Sequence, residues 1–394
     1  MNRLLTLIAL ILFVFQPALA QNYDESKAGT YTYTLPPLLV DSNGKTIKNK
    51  SQWETSRRSE ILQLFEDNVY GTMPKTFDSV SFKVLNDQPG VMQGAAHLKE
   101  TDVTIYNNGQ QATIHVVLFT PQQAKKAVPT FLLINNRSPK NTLASRDTIM
   151  GFWPAEQVIA AGYGIAAFHV SDAAPDDKNT YQNGLLRLFP NELARDNGMK
   201  AIGAWAFAAS RVLDYFEKEE TVDHKNVIVV GHSRGGKASL WAAAQDQRFA
   251  MCVTNCSGNT GAALSKRNFG ETVEVINTAF PHWFNTNYKK YNGNEAALPV
   301  DQHMLIALAA PRPVYATNAT EDLWADPTGT YLAMKNAEPV FNLYNRQSHL
   351  PATPPKPDSP IIAWPLSYHN RTGIHDLTFY DWAQFIIFAD KYLK

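Results

Sequence analysis

A serine with a glycine two positions to either side, Gly231-His232-Ser233-Arg234-Gly235, is the stretch of this chain best suited to chemistry. Four β-branched residues, Val227 to Val230, run into it, and a helical pattern follows through Leu240 and Trp241. A strand that turns sharply into a helix lifts the hydroxyl off the sheet edge, and the glycine spacing removes side-chain bulk where the turn is tightest. The first N–H groups of the helix then point at charge developing beside the serine. A serine hydroxyl is a weak nucleophile, so it needs a base to take its proton and a carboxylate to orient that base. His375, in Thr372-Gly373-Ile374-His375-Asp376, is the candidate base. Asp322 is the candidate acid, with Glu321 and Asp326 as rivals in the same turn. Arg234 and Lys237 add two cations beside the serine, suited to an oxyanion, a carboxylate or a sugar hydroxyl.

Those positions have meaning only within a set of elements. Val80 to Leu85, Thr101 to Tyr106 and Ala112 to Phe119 alternate as antiparallel strands do, after a helix over Trp53 to Asn68. From Pro129 the rhythm changes to continuous apolar strands alternating with helices: strands at Pro129 to Ile134, Gly164 to Val170, Val227 to Val230 and Phe249 to Thr254, helices at Ala155 to Ala161 and Met199 to Phe216. Strands apolar on both faces, separated by helices, predict a mostly parallel, twisted central sheet covered on both sides, a three-layer α/β sandwich with antiparallel amino-terminal strands. Further strands are expected at Pro313 to Thr317 and Pro339 to Leu343, and a closing helix at Leu377 to Tyr392. In α/β-hydrolases the chain order is serine, acid, histidine. Asp322 follows the penultimate strand, and His375 follows the last strand and precedes the closing helix. His349 and His369 share that interval.

The chain has 394 residues, 44% hydrophobic and 18% charged, which suits one large α/β domain. Lys+Arg and Asp+Glu number 36 each, so no global field draws the chain to nucleic acid or to an anionic membrane surface. Met1-Asn2-Arg3, the apolar run Leu4 to Phe15 and Pro17-Ala18-Leu19-Ala20 read as a signal peptide over residues 1–20, cleaved after Ala20 and too short to span a bilayer comfortably. The expectation is export of residues 21–394 as a single domain, to the periplasm, cell surface or medium. The two cysteines, Cys252 and Cys256, lie four apart where a strand begins, beyond easy disulfide reach.

Gly231-His232-Ser233-Arg234-Gly235-Gly236-Lys237 resembles the G-C-S-R-x-G-K block of the glucuronoyl esterases, carbohydrate esterase family 15. Ser257-Gly258-Asn259-Thr260-Gly261-Ala262, Lys266-Arg267-Asn268-Phe269-Gly270-Glu271, Ala310-Pro311-Arg312-Pro313, Glu321-Asp322-Leu323-Trp324-Ala325-Asp326-Pro327 and Asn370-Arg371-Thr372-Gly373-Ile374-His375 resemble its other blocks, in the same order. The resemblance implies an α/β-hydrolase that cleaves esters of glucuronic or 4-O-methylglucuronic acid, as in lignin–carbohydrate links of plant cell-wall glucuronoxylan, without a metal or other cofactor. It assigns catalysis to Ser233, Arg234 and His375, and sugar contacts to Lys237, Glu271 and Trp324. Many members carry their catalytic glutamate immediately before S-G-x-x-G, where this chain has Cys256. A thiol does not stabilise imidazolium as a carboxylate does, so the role falls to Asp322. The expected molecule is a monomer without nucleic-acid or membrane partners. An acetyl-xylan or other carbohydrate esterase, or a carbohydrate-binding protein without turnover, are the competing readings.

Overall fold

Nine strands form one sheet in the computed structural model, which describes residues 33–393. The expected signal peptide at residues 1–20 lies outside the described residues. β1 (Ser79–Gly90), β2 (Ala96–Asn107) and β3 (Gln110–Pro121) are an antiparallel meander, β4 (Val128–Asn135) and β5 (Gly164–His169) follow, and β3 pairs antiparallel with β5. β6 (Val222–His232), β7 (Met251–Asn255), β8 (Val314–Ala319) and β9 (Leu366–Arg371) complete the order β1-β2-β3-β5-β4-β6-β7-β8-β9, parallel from β5 onward.

Side chains alternate across a strand, so each central strand feeds two cores. Leu132, Ile134, Val227, Val229 and Ala316 pack on one face; Phe131, Leu133, Ile228, Val230 and Tyr315 pack on the other. The helices that cover the sheet are α1 (Ala155–Ala160), α2 (Ala201–Phe216), α3 (Arg234–Gln245), α4 (Pro327–Asn342) and α5 (Phe379–Leu393). The first core takes Trp205 of α2, Trp241 of α3 and Tyr331 of α4, and the second takes Val158 of α1 and Trp382 of α5. Each such side chain, fully removed from water, contributes roughly 1.5–3 kcal/mol or more. Two layers of helix around a mostly parallel sheet is the architecture expected from the strand pattern.

The early helix and the last strand depart furthest from expectation. The early helix runs on from Lys50 to Tyr70, with π-helical turns at Trp53–Arg57 and Glu66–Tyr70, and stops at Gly71 with φ 90°. Pro339 to Leu343, read as the last strand, is instead the end of α4, in which Val340 and Phe341 are fully buried. A short run such as Pro-Val-Phe-Asn-Leu does not distinguish a buried strand from a buried helix turn, and a proline is by default unfavourable inside a helix. The last strand is β9, Leu-Ser-Tyr-His-Asn-Arg, whose polar side chains hide it from an apolarity search although all but Asn370 are buried. Among the described residues, no helix is long and apolar enough to cross a membrane.

Candidate active site

β6 ends at His232 and α3 starts at Arg234, so Ser233 alone makes the turn, at φ 55° and ψ −127°. A backbone held there costs on the order of 1–3 kcal/mol and persists only where its surroundings enforce it. Two of those enforcers are visible. A Cβ on Gly231 would lie 2.0 Å from the Gly235 carbonyl oxygen, and one on Gly235 would lie 2.7 Å from Asn136 Oδ1 at the end of β4. The Ser233 N–H also donates to the Asn255 carbonyl on β7, at 2.8 Å.

β8 and β9 are neighbours, and the loops that leave them are tied together. Thr320 N–H donates to the Arg371 carbonyl at 2.9 Å, Glu321 N–H to the Gly373 carbonyl at 2.9 Å, and Gly373 N–H to Thr320 Oγ1 at 3.1 Å. These bonds bring Asp322, 4% exposed, against His375, 33% exposed. Nδ1–H of His375 donates to Asp322 Oδ2 at 2.5 Å. Of the rival carboxylates, Glu321 is exposed, while Asp326 pairs with Arg267 and caps α4 through Gly329 N–H at 2.9 Å. His349 lies on the loop after α4, and His369 is fully buried in β9 with its Nε2–H on Asp381 at 2.8 Å. Neither has a place in the site.

Ser233, Asp322 and His375 line one cavity of about 350 Å³ together with Arg234, Lys237, Glu271, Trp324 and Cys256. A larger cavity of about 580 Å³ lies under the β1–β2 turn, but its Arg146 and Glu156 neutralise each other at 2.6 Å and no histidine lines it. In the smaller one, the Arg234 guanidinium lies over the rings of Phe280 and Trp283, at 5.1 and 4.7 Å from their centroids, and donates through Nη1 to Asp176 at 2.6 Å. Its Nε–H is buried and has no hydrogen-bond partner among the described residues. Burial alone would raise the Asp176 carboxyl, but hydrogen bonds from His282, Trp283 and Arg234 hold it down at about 2, so it stays ionised beside Arg234.

Lys237 is 2% exposed and has all three ammonium protons placed, on the Ser257 carbonyl at 2.8 Å, the Asn259 carbonyl at 2.5 Å and Glu271 Oε2 at 2.7 Å. It meets a sugar hydroxyl only by giving one of these up; as it stands it fixes Glu271. Burial lowers its affinity for a proton below the ordinary value, and Glu271 offsets that only in part. The Glu271 N–H donates to the Trp324 carbonyl at 3.0 Å, which sets that pair side by side, and Trp324 is 37% exposed at the cavity. Lys237→Met strands the Glu271 carboxylate in the protein, which is expected to cost about 3–5 kcal/mol of stability, read as a lower urea midpoint.

Cys256 sits at the end of β7 with φ 47°, buried and free, as is Cys252. Burial first, then the Asp322 carboxylate that its thiol faces, push its pKa well up, so it is an S–H and not an anion. Cys256, Asp322 and His375 bring ligand atoms within 4.8 Å of one another. Asp322 and His375 are already joined, however, and Arg234 and Lys237 face the same cavity, an arrangement unfavourable to a cation.

Several groups at the site had no signal of their own in the sequence. Asp176 falls in the long Asp172 to Asn183 loop, Phe280 and Trp283 in the aromatic segment after β7, and Arg137 after β4. Loop length was the one available hint, because long loops in compact domains are commonly functional. His232 lay inside the motif, but its role comes from contacts: its ring is fully buried with its centroid 4.6 Å from that of His375.

The sheet order, the turn at Ser233 and the paired loops after β8 and β9 together define the α/β-hydrolase class. The family model described as "Glucuronyl esterase, fungi" matches residues 103–345. Carbohydrate esterase MZ0003, from an unknown prokaryotic organism, is 38% identical over 94% of this chain and 92% of its own length. A 4-O-methyl-glucuronoyl methylesterase 1 from Phanerochaete chrysosporium is 26% identical over 80% of this chain and 63% of its own, so the chain spans less than two thirds of that fungal relative. Among solved structures, a promiscuous CE15 esterase from a marine bacterial metagenome superposes with a TM-score of 0.86 at 38% identity, covering 94% of this chain and 99% of that one. The glucuronoyl esterase from Solibacter usitatus gives 0.85 at 35% identity, covering 91% and 98%. The chain belongs to the glucuronoyl esterases, carbohydrate esterase family 15, and is a carboxylic ester hydrolase.

Proposed function

We propose that this esterase hydrolyses esters of glucuronic and 4-O-methylglucuronic acid, of the kind that link glucuronoxylan to lignin alcohols. The observation that carries the reading is the 2.5 Å Asp322–His375 bond at the cavity that also holds the strained Ser233. His375 takes the Ser233 proton through Nε2 while Asp322 holds the Nδ1–H and stabilises the imidazolium. Oγ bonds to the uronoyl carbon, and the carbonyl oxygen becomes an oxyanion. The Arg234 backbone N–H, first in α3, is a donor for that charge, one such donor being worth about 3 kcal/mol, and the guanidinium adds positive charge beside it. The β4 end packs on Gly235 at Asn136, where hydrolases of this fold supply a second N–H. The C–O bond then breaks and the alcohol leaves with the proton from His375. Water, deprotonated by the same ring, cleaves the acyl-enzyme to uronic acid and free Ser233. Glu271 and Trp324 hold the sugar, one by its carboxylate and one by an apolar face.

The same proposal includes a leader at residues 1–20, export, and a monomeric domain over 21–394. A broader carbohydrate esterase is the second reading, favoured by Cys256 at the position where many members carry glutamate and by the similarity to a promiscuous CE15 esterase at 38% identity. Turnover of benzyl glucuronate, methyl galacturonate and acetylated xylan separates the two. The uronate reading expects kcat/KM on benzyl glucuronate to exceed both others by about tenfold or more, because a site that hydrogen-bonds specific hydroxyls rejects misplaced ones. Faster turnover of acetyl esters would replace it with the second reading.

A further inference from the structure

Next to His375, and outside the lining of its cavity, lies a buried polar network that the mechanism above does not use. Its centre is Asp381 in α5, fully buried. Asp381 accepts from His369 Nε2 at 2.8 Å, Arg371 Nε at 3.0 Å, Asn255 Nδ2 at 3.3 Å and Thr378 Oγ1 at 2.7 Å. Burial raises its carboxyl, but His369 and Arg371 outweigh that and hold it below the ordinary range. Two arms leave this centre, and both end on His375.

The first arm is Arg371. With Nε on Asp381, its Nη2 donates to the carbonyls of Ile374 and Asp376, both at 2.8 Å, and Nη1 to that of Thr372 at 3.3 Å. Ile374 and Asp376 are the residues on either side of His375, so one planar fork sets the backbone that carries the ring. A lysine is a point donor on a flexible stem and does not reproduce this grip. The second arm runs through Asn255, whose Oδ1 lies 2.5 Å from His232 Nδ1. Arg137 Nη2 lies 2.8 Å from His232 Nε2 and, being arginine, only donates. Nε2 is therefore the acceptor, Nδ1 carries the proton to Asn255, and the ring is neutral. Phe152 packs on it edge-on at 5.8 Å, leaving it against His375 at 4.6 Å. A neutral ring there supports the His375 imidazole without opposing the charge it gains when Ser233 is deprotonated.

We infer that Arg371 and His232 are positioning residues for His375, joined through Asn255 and Asp381, one fixing the loop and the other the ring. The inference rests on His375 being the base. It gives the Asn370-Arg371-Thr372-Gly373 motif a task, and it explains why β9 carries buried polar residues.

The test is steady-state kinetics on benzyl glucuronate for Arg371→Lys, His232→Gln and the double variant, with thermal melting of each and Ser233→Ala run alongside. Misplacing a reacting group by about 1 Å costs roughly a hundredfold in rate. Arg371→Lys is expected to lower kcat by about ten- to a hundredfold with KM within about twofold, because no cavity-lining side chain has changed. His232→Gln is expected to behave alike but more mildly, and the double variant to lose less than the product of the single losses, since both act through one ring. Wild-type kcat in both single variants, or losses that only follow the fraction of folded protein, would overturn the inference. Should Arg371→Lys fail to fold, His232→Gln decides the matter. Activity persisting in Ser233→Ala would instead strike the site reading itself.

Discussion

Ser233→Ala is expected to lower kcat on benzyl glucuronate by about 10⁵- to 10⁶-fold, with KM within about twofold. The size of the loss follows from what alanine removes. On the proposed mechanism it deletes the one atom that becomes bonded to the uronoyl carbon, and it leaves the surroundings in place. The residual rate comes from the oxyanion donors and from bound water, which in serine hydrolases lacking the nucleophile still gives roughly 10³–10⁴ over solution. Alanine keeps the Cβ, so the backbone at φ 55° is as strained as before, and the N–H to Asn255 at 2.8 Å is untouched. Melting should therefore stay close to wild type, which separates loss of chemistry from loss of fold. Turnover of the purified variant within a factor of ten of wild type would mean that Ser233 is not the nucleophile.

The ease of seeing Ser233 in the sequence, and the difficulty of seeing its surroundings, have one cause. The turn is made by consecutive residues, and its glycines are required by contacts within that turn and with the adjoining strand end, so spacing alone reports it. The parallel sheet is legible for a similar reason, because strands such as Phe131 to Ile134 and Val227 to Val230 must be apolar on both faces. Asp322 and His375 are legible at one remove, through the order of strands that carry them. That order does not depend on Pro339 to Leu343 being helix or strand, because β9 lies between Asp322 and His375. Asp176, Arg137, Asn255 and Asp381 are different. Each does its work against partners distant in the chain, such as Arg234, which is 58 positions from Asp176. A lone aspartate in a loop looks the same whether it faces water or an arginine. Lys237 shows the converse limit. Its place beside the serine suggested a ligand contact, while its three internal acceptors emerge only when Ser257, Asn259 and Glu271 are folded around it.

Asp322→Asn is expected to lower kcat by about 10⁴-fold while Glu321→Gln stays near wild type. Asparagine has the size of aspartate and keeps an oxygen for the ring, but it carries no charge to stabilise imidazolium, and its amide can donate to Nδ1 and hold the ring in the wrong tautomer. Nothing nearby takes over. Cys256 occupies the place where many members of the family carry glutamate, but burial and the Asp322 charge keep it a thiol, and removing that charge leaves burial in force. Asp326 is held by Arg267 and by the cap on α4, and Glu321 is turned to solvent. The measurement is kcat for the two variants on one uronate ester, with melting curves to show that both are folded. If Asp322→Asn retained more than a tenth of wild-type kcat, the ring of His375 would have to be oriented by some other carboxylate, and the loop after β8 would lose its part in the mechanism.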